Sequence, residues 1–341
     1  MIPIDLRSDT VTKPSREMLE AMISAKVGDD VFGEDETVNS LQEKCTQLTD
    51  KEDALFVPTG VMGNQLALKC HTIPGDEVIV ESESHIINYE TGAAPVIAGV
   101  QLLSVNGKKG ILKADEIRKY VRTSEYYFPV SRLICIENTH NRAGGTIQPL
   151  DILKDISLYA KSSGIKTHLD GARIFNACVE TNISVKEYSS YFDSISFCFS
   201  KGLGAPVGSI LCGSKDFITM ARKWRKMLGG GMRQAGFLAA AAIYALDNNV
   251  ERLKEDNNKA KFFADELSKI EGIEIDAGSV ETNIVIFSCS KFSKPELINK
   301  LRFKGVFISS GSYDNMRAVF HLDVSESQVE DALKIFKTVA R

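Results

Sequence analysis

Lys201 follows an apolar, strand-like run, Ile195 to Phe199, and precedes the turn Gly202-Leu203-Gly204 and a second apolar run, Val207 to Cys212. A lysine at the end of a buried strand needs a reason, because burying an unpaired ammonium is costly. Desolvation favours the neutral amine, which is the nucleophile that condenses with aldehydes. Flanking glycines let the backbone pass close to a bulky ligand. Upstream, another strand-like run, Ile165 to Leu169, ends in Asp170-Gly171-Ala172-Arg173. A carboxylate at one strand end and a lysine at another are two parts of a pyridoxal phosphate (PLP) site. The carboxylate keeps the pyridine nitrogen protonated, so that the ring draws electrons, and the lysine carries the aldehyde. Alone, Ser200-Lys201-Gly202 reads as a structural or surface turn; Asp170 gives it chemical meaning.

A third part lies near the N-terminus. The short apolar run Ala54 to Val57 enters Pro58-Thr59-Gly60-Val61-Met62-Gly63-Asn64, and a helix follows to about His71. The first N–H groups of a helix lack partners, so such a junction binds anions. The amides of Gly60, Val61 and Met62 are candidates for the cofactor phosphate; without Lys201 and Asp170 the same residues would read as an ordinary tight turn. His85 follows the strand Glu77 to Glu81, with Tyr89 and Glu90 just beyond it, placed to close the pocket. A lone histidine there is commonly satisfied by its neighbours, yet an imidazole also suits a general base near neutrality.

At these residues the chain resembles the threonine aldolases, PLP enzymes with the aspartate aminotransferase-type fold. The runs that carry the resemblance are D-L-R-S-D-T (5–10), V-G-D-D-V-F-G-E-D (27–35), P-T-G-V-M-G-N-Q (58–65), E-N-T-H-N (137–141), H-L-D-G-A-R-I-F-N-A (168–177), S-K-G-L-G-A-P-V-G-S (200–209) and K-M-L-G-G-G-M-R-Q (226–234). The resemblance implies that Lys201, with Ser200 beside it, carries PLP, that Asp170 faces the ring nitrogen, and that His85 stacks on the ring and takes part in proton transfer. It further implies a carboxylate clamp of Ser8, Arg173 and Arg317, and that Lys226 and Arg233 reach the phosphate of a neighbouring subunit. The site then needs a homodimer, within a tetramer. The implied reaction is retro-aldol cleavage of L-threonine or L-allo-threonine to glycine and acetaldehyde.

One departure stands out. Many relatives carry a histidine before F-A or F-P where this chain has Tyr126-Tyr127-Phe128-Pro129. Tyr127 occupies that position, and a phenol with a pKa near 10 is a poor base at neutral pH. The preference between threo and erythro substrates stays open, as does the base. Rival readings keep the cofactor and change the chemistry, to a β-eliminating lyase or an aminotransferase, or keep the fold as a non-catalytic binding protein. A nicotinamide dinucleotide site is disfavoured, because no G-x-G-x-x-G follows a strand.

The elements needed to hold these residues are legible. Strand and helix alternate through the first two thirds of the chain, the mark of a parallel sheet with ligands at its carboxyl edge. The expected fold is α/β, of the PLP type I class, mostly parallel and flanked by helices, with a smaller α+β part. The expected division is an arm (1–14), a large domain (15–250) and a small domain (251–341). Val96 to Val105 reads as a strand pair, residues 214–228 and 234–247 as two helices broken by Gly229-Gly230-Gly231, and 326–340 as the last helix. With 341 residues, 43% of them hydrophobic, the chain supports a large core. A net charge of −4 gives no reason to expect nucleic acid or an anionic membrane. Seven scattered cysteines without a C-x-x-C pair argue for a reducing, cytoplasmic setting. Five histidines without metal-ligand spacing suggest no zinc site, and no apolar run is long enough to span a bilayer.

Overall fold

The computed structural model describes residues 3–339, so Ala340, at the end of the expected last helix, lies outside it. After β1 (Ile4–Asp5) in the N-terminal arm come β2 (Asp53–Val57), β3 (Glu77–Glu81), β4 (Gln101–Val105), β5 (Ser131–Glu137), β6 (Lys166–Asp170), β7 (Ser194–Cys198) and β8 (Ser209–Gly213). These last seven form one sheet in the order β2-β8-β7-β6-β5-β3-β4. Every residue of β3, β7 and β8 is buried, which is why they read as near-continuous apolar runs: helices cover both faces.

Only β8 runs against its neighbours; the other pairs are parallel. The physical reason is the connection. A parallel neighbour needs a helix-bearing crossover of a dozen residues or more, whereas β7 returns directly into β8 through the turn that holds Lys201. That turn lifts the lysine to the carboxyl edge of the parallel strands.

The C-terminal part holds β9 (Ile273–Glu274), β10 (Ile284–Cys289), β11 (Val306–Phe307), β12 (Ser309–Ser310) and β13 (Met316–Val319), which fall into two smaller sheets. The four-stranded sheet is antiparallel in the order β12-β13-β10-β9, while β11 pairs in parallel with β1. Phe263, Phe287, Phe320 and Phe336 centre this smaller core, and Ile4 and Leu6 of the arm are buried in it. Phe56, Phe197, Phe199 and Tyr188 lie in the larger one. Helix Leu253–Leu267 joins the two, with Leu253 in the large core and Phe263 and Leu267 in the small one.

One stretch differs from expectation. Residues Ala94–Ala98 form a π-helical turn ended by Gly99 at φ 76, and only β4 follows as a strand. Pro95 suits the first turn of a helix, and Ala94 and Ala98 are buried with Leu68. Between Asp170 and β7 stand two further helices, Ile174–Thr181 and Val185–Ser189, which bury Ile174, Phe175 and Ala177. Among the described residues no helix is long and apolar enough to cross a membrane.

Candidate active site

Asp170 is the last residue of β6, and Lys201 sits in the turn after β7. Both line a cavity of about 270 Å³ at the carboxyl edge of the sheet, together with Gly60, His85, Arg173 and Ser200. Among the described residues Lys201 Nζ has no hydrogen bond or ion pair. Its backbone is fixed instead: the Lys201 carbonyl accepts from Thr12 Oγ1 at 2.9 Å and from the Gly204 N–H at 2.8 Å. The N-terminal arm thus braces the lysine and leaves its amine free.

Asp170 is buried. Burial alone would raise its carboxyl, but His85, Lys201 and the Asn64 amide outweigh it and hold Asp170 below the usual carboxylate range. Asn64 Nδ2 donates to Asp170 Oδ2 at 2.7 Å, and the Ala172 N–H donates to Oδ1 at 3.1 Å. An ionised acceptor is what a protonated pyridine nitrogen requires.

His85 opens the short helix His85–Asn88. Its N–H donates to Glu137 Oε2 at 2.7 Å, which replaces the missing side-chain cap. Its Nδ1 meets Glu90 Oε1 at 3.0 Å, and Glu90 Oε1 also accepts from Asn64 Nδ2 at 2.8 Å. Burial pushes the imidazole down, yet the Glu90 hydrogen bond and the charges of Asp170 and Glu137 prevail and raise it. His85, Glu90 and Asp170 bring one polar atom each to within 4.8 Å of the others. Tyr89 leans on His85 with ring centroids 5.4 Å apart, and its hydroxyl accepts from Arg142 Nη1 at 3.3 Å.

At the opposite end, helix Gly60–His71 points its N-terminus at the cavity. One expectation changes here. The Met62 N–H is taken by Thr59 Oγ1 at 3.1 Å, the helix cap, so Gly60 and Val61 keep the unpaired amides. A Cβ on Gly60 would lie 2.8 Å from Cys198 Sγ and 3.7 Å from Ser209 Oγ, and that buried hydroxyl has no partner. An unpaired amine, an ionised carboxylate and two unpaired amides around one cavity fit PLP. Lys226 and Arg233 are exposed and do not line this cavity; Arg233 Nη1 pairs with Asp29 at 2.9 Å. The glycine loop beside them packs on Met62, since a Cβ on Gly230 would meet its sulfur at 2.3 Å.

The carboxylate clamp is more elaborate than the sequence suggested. Arg173 is gripped by Asp9, Nε to Oδ2 at 2.6 Å and Nη2 to Oδ1 at 2.7 Å. Burial would raise Asp9, but the guanidinium and Lys201 hold it far below the usual carboxylate range. Among the described residues Arg173 Nη1 has no hydrogen-bond partner, and Arg173 lines the cavity. Arg317 meets neutral acceptors alone: Asn141 Oδ1 at 2.8 Å, Ser309 Oγ at 3.3 Å and the Arg7 carbonyl at 3.3 Å. Burial and then the Arg173 charge depress it, so a carboxylate arriving there relieves two guanidinium groups at once. Ser8 Oγ is engaged as a cap, accepting from Thr10 N–H at 3.2 Å and from Thr10 Oγ1 at 2.8 Å. Tyr127 departs from expectation. It is 65% exposed, has ring contacts with Tyr126 and Phe128, and does not line this cavity.

Sequence reasoning missed Asp9, Asn64 and the role of Glu137. Asp9 and Asn64 lie inside the quoted runs 5–10 and 58–65, but nothing local says which polar group in a run meets a partner far along the chain.

A family model described as beta-eliminating lyase matches residues 5–290. A probable low-specificity L-threonine aldolase 2 of Arabidopsis thaliana is 42% identical, covering 98% of this chain and 97% of that protein. The low specificity L-threonine aldolase of Escherichia coli (strain K12) is likewise 42% identical over 96% of each. The solved structure of a Leishmania major threonine aldolase shares the fold, with a TM-score of 0.85 at 20% identity, covering 99% of this chain and 100% of that one.

Proposed function

The chain belongs to the beta-eliminating lyase family and groups there with the low-specificity L-threonine aldolases, and on that footing we propose that it cleaves L-threonine and L-allo-threonine to glycine and acetaldehyde. The observation that carries the reading is the unpartnered Lys201 amine facing the same cavity as the ionised Asp170. Bound PLP supplies a carbonyl that takes up amines and a protonated ring that withdraws electrons from the bond being broken.

The chain's own residues do the rest. Lys201 would hold the cofactor through its amine until the substrate amine replaces it. Asp170 would face the ring nitrogen and favour its protonated form. Gly60 and Val61 N–H groups, with Ser200 beside them, would hold the phosphate. Arg317 and Arg173 Nη1 hold the substrate carboxylate, which fixes rotation so that the Cα–Cβ bond is the one activated. His85 Nε2, through a water, takes the β-hydroxyl proton while Glu90 stabilises the imidazolium. The Cα–Cβ bond then breaks, acetaldehyde leaves, and Cα regains a proton to give glycine.

The same reading extends to a homodimer, paired into a tetramer, in which Lys226 and Arg233 close the phosphate end of the neighbouring site. Their exposure beside the Gly229–Gly231 loop supports it. Mixing Lys201→Ala with Arg233→Ala subunits should then restore part of the activity that each lacks. A cytoplasmic setting is supported by seven free cysteines.

The direct test is release of acetaldehyde and glycine from L-threonine and from L-allo-threonine with PLP present. Equimolar products lost in Lys201→Ala establish the aldolase, and the rate ratio of the two isomers reports its selectivity. A bound chromophore with pyruvate in place of acetaldehyde would instead establish elimination.

A further inference from the structure

Behind Asp170 a line of buried polar side chains runs between the sheet and helix Gly60–His71, away from the carboxyl edge of the strands. Asn64, His168, Ser194 and Ser196 are all buried. Asn64 Oδ1 receives Ser196 Oγ at 3.0 Å and His168 Nε2 at 3.2 Å. His168 Nδ1 lies 2.9 Å from Ser194 Oγ, and that oxygen lies 2.7 Å from His71 Nε2. His71 in turn stacks on Phe217, with ring centroids 4.4 Å apart.

The donors in this line form one consistent set. Asn64 must turn its NH₂ toward two carboxylates, since Nδ2 meets both Asp170 and Glu90. Its oxygen must then be fed by donors, so His168 carries its proton on Nε2. A neutral His168 accepts at Nδ1, which takes the single hydroxyl proton of Ser194. Ser194 Oγ is then free to accept, and His71 donates from Nε2. Both imidazoles are held neutral: burial, with the Asp170 charge and a Ser194 backbone hydrogen bond opposing, pushes His168 down to about 4, and burial with the neighbouring His168 and Lys166, against Asp193, pushes His71 down to about 3. Reversing Asn64 would set its oxygen against two carboxylates and leave His168 Nε2–H without an acceptor, a costly exchange in a buried site.

We propose that His168, backed by Ser194 and His71, is a positioning residue that locks the Asn64 amide toward Asp170 and Glu90, and so tunes the groups meeting the cofactor ring from its edge and its face. His168 touches neither cofactor nor substrate; it acts through one amide that ties Asp170 to the Glu90–His85 pair. The proposal rests on the cofactor reading above.

Imidazole ¹H–¹⁵N NMR of the protein without PLP tests the proton arrangement independently of that reading. Between about pH 5.5 and 8.5 both His168 and His71 should show the neutral Nε2–H pattern. A proton on His168 Nδ1, or a charged His168 in that range, overturns the proposal. In the loaded protein, His168→Leu should weaken PLP binding about ten-fold and shift the pH midpoint of the bound chromophore. His168→Gln, whose amide nitrogen replaces Nε2–H, should keep both near wild type. A folded His168→Leu protein with unchanged affinity and midpoint refutes it. Should His168→Leu fail to fold, Ser194→Ala keeps the Asn64 oxygen that sets the tautomer, so its His168 should retain the neutral Nε2–H pattern; a proton on Nδ1 there refutes the proposal equally. Failure of the cofactor reading would show separately, as no chromophore in the wild-type protein.

Discussion

Asp9 offers the sharpest test of how the arm builds the site. Its carboxylate grips Arg173 through two bonds of 2.6 and 2.7 Å, and both side chains are nearly inaccessible, 0% for Asp9 and 6% for Arg173. Asp9→Ala removes both acceptors and leaves a buried guanidinium that already feels the charge of Arg317. Removing one partner of a buried pair costs about 3–5 kcal/mol. With a urea slope of roughly 3 kcal/mol per M, the midpoint should fall by about 1–1.7 M. Asp9→Asn keeps one acceptor and should fall between. The pH dependence has a definite sign. The folded carboxyl lies below its ordinary value, so its contribution is complete above about pH 4 and fades as the pH falls. The gap between wild type and Asp9→Ala should therefore narrow in acid. A urea midpoint within about 0.2 M of wild type at pH 7 would refute the view that this pair joins the arm to the site.

Three further outcomes follow from the geometry. Gly60→Ala should weaken PLP affinity because its Cβ would lie 2.8 Å from Cys198 Sγ; adding Cys198→Ala should recover part of the loss, read as a coupling in a double-mutant cycle. Glu90→Gln removes the largest force raising His85, so the acid limb of the kcat/KM profile should move to lower pH, as a pH–rate series would show. Arg317→Ala should raise KM for the amino acid at least about ten-fold with a much smaller change in PLP affinity, measured by steady-state kinetics and by chromophore titration.

The parallel sheet and its carboxyl-edge site were legible because their signals are local. The apolar runs ending at Asp170 and before Lys201 are strands wherever they are buried, and a Gly-bearing strand-to-helix junction exposes amides whatever surrounds it. The strand pair expected across 96–105 failed for the same reason: short apolar runs carry no period that separates a strand from a buried helical turn. The Met62 amide could be assigned only once Thr59 was seen as a cap.

What the order of residues determined by itself was the set of chemical groups and the edge at which each emerges, because both follow from composition and strand period. The partners of those groups were decided by tertiary structure alone. Arg173 meets Asp9, Asn64 meets Asp170 and Glu90, and Arg317 is left with neutral acceptors, through contacts between residues 26 to 176 apart in the chain. Such pairings depend on which faces two cores and an arm bring together, and a buried charge takes whatever partner that packing leaves within reach.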